Sequence, residues 1–310
     1  MGSLPSMTAT TGAAADQPAE RALFEGLVDD AAVFPPGNAP LAEALRLHRE
    51  HRGSGYAAFV GPLLVPATAA AELVSLAAQG DWPQGGSPQG DRVHGDPVQV
   101  SVIGRPGTEA GEVVAAVQLL QASGSVEVVG AELAWTPDWR DAGLAVRRLT
   151  LEVPRGDAQV DAVADVGRDA SDSVAVQAKF RTGATPSWPW PDERELASFI
   201  RTTIDHDLGF KLTGGLHHAV RTSVADDALQ PEHHGLLNVL TAVRWALNGE
   251  DVDELVPLLS ERDPAVLVPQ VTRMSIADAA IVRAFFTAYG CCRVTDPIGE
   301  LSALNLIEET

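Results

Sequence analysis

From residue 23 onward, short runs of β-branched and apolar residues alternate with Ala/Leu-rich stretches whose apolar positions recur at helical spacing. The segment 23–36, LFEGLVDDAAVFPP, reads as helix or strand running into a proline pair, and 41–51 is a helix. Strands are predicted at 56–67, 98–104, 126–133, 148–154, 174–180 and 209–215. Helices are predicted between them at 67–79, 109–122, 157–169 and 192–207, and the Gly/Pro-rich stretch 80–97 reads as a loop. An eighth strand is available at GLLNV, 235–239, within a helical pattern that continues over 236–248. Strands separated by helices of this length form right-handed βαβ units in a parallel sheet. Their number fits a (β/α)8 barrel, the TIM barrel, better than an open doubly wound sheet. The expected organisation is a disordered tail over 1–20, a barrel over 21–248 and a helical C-terminal extension over 249–310 packed on the barrel.

Composition narrows the function. The 310 residues are 45% hydrophobic and 21% charged, a globular balance, with 22 basic against 42 acidic residues and a net charge of −20. Such an acidic chain is a poor partner for nucleic acid or for anionic membrane surfaces. No apolar run approaches the length of a spanning helix, and the first residues lack the pattern of a secretory signal. Adjacent Cys291 and Cys292 are poorly placed to bridge one another. A cytoplasmic protein acting on a small molecule is expected, with a homodimer left open. No strand is followed by a dinucleotide fingerprint or a phosphate-binding loop.

The scarcity of lysine is more specific. Only Lys179 and Lys211 occur, against 20 arginines. Lysine can act as a free amine and arginine cannot, so positions that keep lysine are candidates for amine chemistry; structural ion pairing is the competing reading. Both lie near predicted strand ends, one βα unit apart. In a barrel, function gathers at the carboxyl ends of the strands. Those ends also carry Asp29, Asp30, Glu132, Glu152, Arg181, His217 and His218, with His233, His234 and Asn238 at the candidate eighth strand. Trp188 and Trp190 in PSWPWP are placed to cover an apolar ligand or to pack on the barrel itself.

The segments AKFRTG (178–183) and FKLTGGLHH (210–218) resemble strands six and seven of deoxyribose-phosphate aldolase and related class I aldolases, which carry Lys-x-x-Thr-Gly and Lys-x-Ser-Gly-Gly motifs there. The resemblance implies a TIM barrel with Schiff-base chemistry, Lys179 matching the imine-forming lysine and Lys211 the second lysine that lowers its neighbour's pKa. Phe180 and Arg181 replace smaller residues of that family, His217 and His218 stand where it favours arginine or small polar residues, and the eighth strand lacks a Gly-Ser phosphate turn. The layout of DDAAVFPP, KFRTG, GLHH and HGLLN is also similar to a group of bacterial proteins without an assigned activity.

The function expected is a lyase acting on a small anionic carbonyl compound through a lysine imine, with no cofactor. Lys179 is the nucleophile, Lys211 its electrostatic neighbour, Glu152 a positioning or relay carboxylate, and His217 or His218 a proton shuttle. Arg181 anchors a substrate carboxylate, while Asp29, Asp30, Glu132, Trp188, His234 and Asn238 line the substrate site. The alternative is a divalent-metal enzyme (lyase, isomerase or hydrolase) in which His217, His218 and His234 with a carboxylate hold Zn, Mn or Fe. A ligand-binding barrel without catalysis is the third reading.

Overall fold

The computed structural model describes residues 19–78, 97–168, 174–185, 188–223 and 232–308. Helix α1 (Ala19–Phe24) leads into strand β1 (Val28–Asp30), followed by α2 (Leu41–Arg52), β2 (Val60–Pro66), α3 (Ala70–Ala78) and β3 (Val98–Ile103). Next come α4 (Ala110–Ser123), β4 (Val126–Ala134), β5 (Arg148–Glu152), α5 (Gln159–Gly167), β6 (Ala175–Arg181), α6 (Glu193–Asp205) and β7 (Phe210–Thr213). A small antiparallel ribbon of β8 (Thr222–Ser223) and β9 (Glu232–His233) interrupts the pattern. Four helices follow, α7 (Leu236–Leu247), α8 (Val252–Ser260), α9 (Pro264–Thr272) and α10 (Ile276–Phe285), then β10 (Phe286–Cys291) and α11 (Thr295–Ala303).

Eight strands close into a barrel in the order β1-β10-β7-β6-β5-β4-β3-β2, each pair parallel. This is the (β/α)8 architecture expected from the alternating pattern. Strand residues alternate between the lumen and the helices. Val100, Val102, Leu149, Leu151, Phe180 and Leu212 face outward into the apolar core. On one side that layer is aromatic, with Phe180, Phe199, Phe210 and Phe286 in successive ring contact. Helix starts carry side-chain caps: Asp192 on α6, Asp251 with Glu254 on α8, Asp263 on α9 and Ser275 with Asp278 on α10.

The closing strand is not the one expected. Residues 235–239 open α7, with Gly235 as its N-cap, and nine of its twelve residues are buried. A short apolar run buried on all sides has no period to separate strand from helix. The barrel closes through Phe286–Cys291, which pairs with β1 on one side and β7 on the other. This strand follows α10 without a turn and is rich in small residues, Thr287, Ala288 and Gly290, so the pattern masks it. The span 249–310 is therefore not a purely helical extension: it contributes the eighth strand and its preceding and following helices. The expected tail falls almost entirely on residues 1–18, and the expected loop 80–97 on residues up to 96, outside the described residues. Among the described residues no single helix is long and apolar enough to cross a membrane.

Candidate functional site

The register places Glu152, Lys179 and Lys211 level with one another on β5, β6 and β7. Their side chains enter the lumen with those of Asp29 on β1 and Glu132 on β4. Lys179 Nζ lies 2.8 Å from Glu132 Oε2 and 2.9 Å from Glu152 Oε2. Lys211 Nζ lies 2.5 Å from both Asp29 Oδ2 and Glu132 Oε1. Arg181 donates to Glu152 through Nε at 2.8 Å and Nη2 at 3.2 Å. The result is an alternating chain of acid and base, Asp29–Lys211–Glu132–Lys179–Glu152–Arg181, in which Glu132 spans the lumen between strands three steps apart around the barrel. Three carboxylates balance three cations, the condition under which buried charges are tolerated. Lys179 and Lys211 are only 3% and 2% exposed, whereas the Arg181 side chain at the strand end retains 30% of its surface.

This pairing sets the ionisation. Burial drives both ammoniums toward the neutral form, but two carboxylates facing each more than offset it, and both lysines are pushed above their ordinary value. Burial drives Glu132 and Glu152 upward; Lys179 with Lys211 on the first, and Lys179 with Arg181 on the second, outweigh it and hold each at about 2. For Asp29 burial exceeds the pull of Lys211, and its pKa is raised. The expectation that Lys211 lowers the pKa of Lys179 is thus overturned for the closed site: Glu132 stands between them and neutralises the repulsion.

The other expected residues divide clearly. Asp30 follows Asp29 on the strand and so faces the opposite way, outside the lumen, where it accepts from Ala32 N–H and pairs with buried His48 Nδ1 at 3.0 Å. It fastens α2 to β1 and stands outside the lumen that Asp29 enters. Asn238, 0% exposed, accepts from Arg221 N–H through Oδ1 and donates from Nδ2 to the carbonyls of Leu258 and Glu261. It ties three segments together, with its side-chain oxygen and nitrogen both engaged by the backbone. His234 is buried, with Nε2 3.0 Å from the Pro191 carbonyl and Nδ1 3.2 Å from Arg221 Nη1. Burial pushes it down to about 4, so it is neutral and occupied at both nitrogens.

His217 and His218 lie beyond β7 and form an aromatic cluster with His233 and Trp190. Ring centroids are 5.8 Å apart for His217–His233, 5.3 Å for His218–His233 and 5.4 Å for Trp190–His233. His217 Nδ1 approaches Cys291 Sγ at 3.6 Å and Cys292 Sγ at 3.9 Å, while His218 Nδ1 pairs with Glu300 on α11 at 2.7 Å. That hydrogen bond raises the His218 pKa. These histidines therefore line the rim, where β7 and β10 end, and their contacts are with Glu300, Cys291, Cys292 and His233. Among the described residues no three His, Cys, Asp or Glu side chains are grouped to hold a metal ion, so the His217, His218 and His234 ligand set is not assembled. Trp188 is 43% exposed, with the Arg155 guanidinium 5.4 Å from its ring and its edge against Gly156. A cavity of about 330 Å³ lies beside the mouth, lined by His218, Arg221, Arg262 and Glu300 among others, and none of the lysine network borders it.

Several participants had no sequence signal. Gly61 on β2 leaves room for Asp29: a Cβ there would lie 2.2 Å from Asp29 Oδ1. Gly215 similarly admits Trp190, whose ring would meet a Cβ at 2.6 Å. Glu300 is distant in sequence and is recruited only when α11 folds over the rim. No protein-family model and no curated protein matches the chain.

Proposed function

We propose that this protein is a lyase-type barrel enzyme acting on a small anionic carbonyl compound through an imine at Lys179. The observation that carries the reading is the in-register pair Lys179 and Lys211 bridged by the single carboxylate Glu132. The ammonium of Lys179 is not a nucleophile until its proton passes to Glu132 or Glu152, both within hydrogen-bond distance. The freed amine adds to the substrate carbonyl carbon. The carbonyl oxygen takes a proton from the Lys211 ammonium, the added nitrogen returns one of its protons to Lys211, and a second proton from the carboxyl group lets the oxygen leave as water. A carboxylate then takes the hydroxyl proton of the departing carbon, which leaves as a second carbonyl compound, and the electron pair of the broken carbon–carbon bond passes to the iminium to give an enamine. Protonation and hydrolysis then release product and regenerate the amine. Entry requires the Arg181–Glu152 pair at the open end to part, and a substrate carboxylate is the natural exchange partner for Arg181.

The raised basicity of both lysines favours a second reading within the same site. In it Lys179 stays an ammonium and stabilises a developing enolate, while Glu152 removes the α proton. Borohydride distinguishes the two. Incubation with pyruvate, glyoxylate or acetaldehyde and borohydride should add the reduced fragment to Lys179, located by mass spectrometry, and Lys179→Arg should abolish both adduct and turnover. Lys211→Arg, which preserves charge, should be the milder change. An unlabelled Lys179 throughout the series, with Lys179→Arg still active, removes the imine and leaves the enolate reading.

A further inference from the structure

We propose that the site selects an amphipathic acid: a carboxylate joined to a short unbranched aliphatic chain. This rests on the assignment of the lumen as the substrate site. Towards the carboxyl ends of the strands, the residues that follow the buried charges differ from one side of the barrel to the other. On β6, Arg181 stands two residues after Lys179, and Glu152 closes β5; this side is ionic. On the opposite side Ala31, Leu64 and Ile103, from the end of β1 and from β2 and β3, form a small apolar cluster separate from the main core, with Phe34 packed on it. Leu64, Thr213 and Ala31 converge on Gly290, where a Cβ would lie 3.2, 3.5 and 3.7 Å from them. Ile103 pairs in register with Glu132, so the apolar half abuts the lysine network directly.

The two halves impose opposite demands on one ligand. Arg181 spends Nε and Nη2 on Glu152, while Nη1 points toward Gly214, whose missing side chain keeps the approach open. A bidentate carboxylate suits this guanidinium. Ala31, Leu64, Ile103 and Phe34 offer no side-chain hydrogen bond, so hydroxyl groups placed there lose water without compensation. A polyol or sugar chain is disfavoured and methylene groups are favoured. Phe34 is the outermost member and is half-buried on the loop after β1, with the Arg105 guanidinium 5.1 Å from its ring. It is the side chain that a longer chain meets last.

Calorimetric titration of the full-length protein with butanoate, pentanoate, hexanoate and glycerate tests this. Each added CH2 is expected to tighten binding about fourfold, the worth of one buried methylene. Glycerate should bind more weakly than butanoate. Phe34→Ala should flatten the chain-length dependence, with the largest loss for hexanoate. Arg181→Gln should weaken every acid at least tenfold, and Arg181→Lys, which keeps the charge, should recover part of the loss. A flat series, glycerate binding as tightly as hexanoate, or no saturable binding by any acid overturns the proposal. Borohydride with 2-oxohexanoate separates this inference from the imine. Chain-length-dependent binding without an adduct discards the imine and keeps the ligand class. An adduct from glyoxylate beside a flat acid series does the reverse.

Discussion

Asp29 and Asp30 are chemically identical neighbours with unrelated roles, and the alternation of an extended strand is the whole reason. Asp29 can enter the lumen only because position 61 has no side chain. Gly61→Ala should therefore expel the carboxylate from Lys211, leaving one buried charge short of its partner at a cost of about 3 kcal/mol. Urea unfolding of the variant would show it; an unchanged midpoint would mean that the lumen relaxes freely. The members of the ionic chain were legible in the sequence because lysine is so rare and because both copies, with four carboxylate candidates and Arg181, fall at strand ends. Their partners were not. Pairing depends on which strands face each other across the lumen, and Glu132 to Lys211 spans 79 residues. The apolar half of the mouth was equally hidden, since Ala31, Leu64 and Ile103 look like any strand residues until closure turns them inward.

Among elements, α7 and β10 exchanged identities with the expectation. The run 235–239 carries the composition of a buried strand, and Phe286–Cys291 lacks one. Helix α7 keeps its position through Asn238, whose amide joins the segment at Arg221 to the end of α8. Gly235 enforces that junction, because a Cβ there would fall 2.1 Å from Asn238 Oδ1 and 2.2 Å from Arg221 N. Asn238→Ala strands one buried donor and two carbonyls, for an expected loss of about 3 kcal/mol. Denaturant titration measures the loss. Ligand binding in the lumen should persist at temperatures where the variant is folded, since Asn238 touches none of the ionic chain. A loss of binding with unchanged stability would return Asn238 to the substrate site.

Across the whole molecule the buried titratable groups predict a stepped response to acid. His234 sits at about 4 when folded against 6.5 when exposed, so between those values the unfolded chain takes up a proton that the folded chain refuses. Stability should fall by about 3 kcal/mol as pH drops from about 6.5 to 4. Glu132 and Glu152, at about 2 against 4.5, contribute fully above pH 4.5 and lose that contribution as pH falls toward 2. His218 acts oppositely: its raised pKa adds stability below 6.5 that fades as the pH climbs past its folded value. Urea midpoints measured from pH 8 to pH 3 should show the two acid limbs, and His234→Gln should erase the upper one alone. The net charge of −20 leaves the response of the lumen intact, because the six groups there balance one another.

Closure by β10 also orders events in time. The first strand of the barrel finds its second neighbour only when residues 286–291 exist, and Lys211 lies 182 residues downstream of Asp29. At ribosomal speeds of about 5–20 residues per second, β1 waits for on the order of half a minute with one edge unpaired. A three-residue edge carrying two adjacent carboxylates is a poor template for another nascent chain, since each new strand would have to bury those charges without a lysine to meet them. The residue that terminates the ionic chain in the finished barrel thus gives the unfinished one a charged edge where an apolar one would invite pairing.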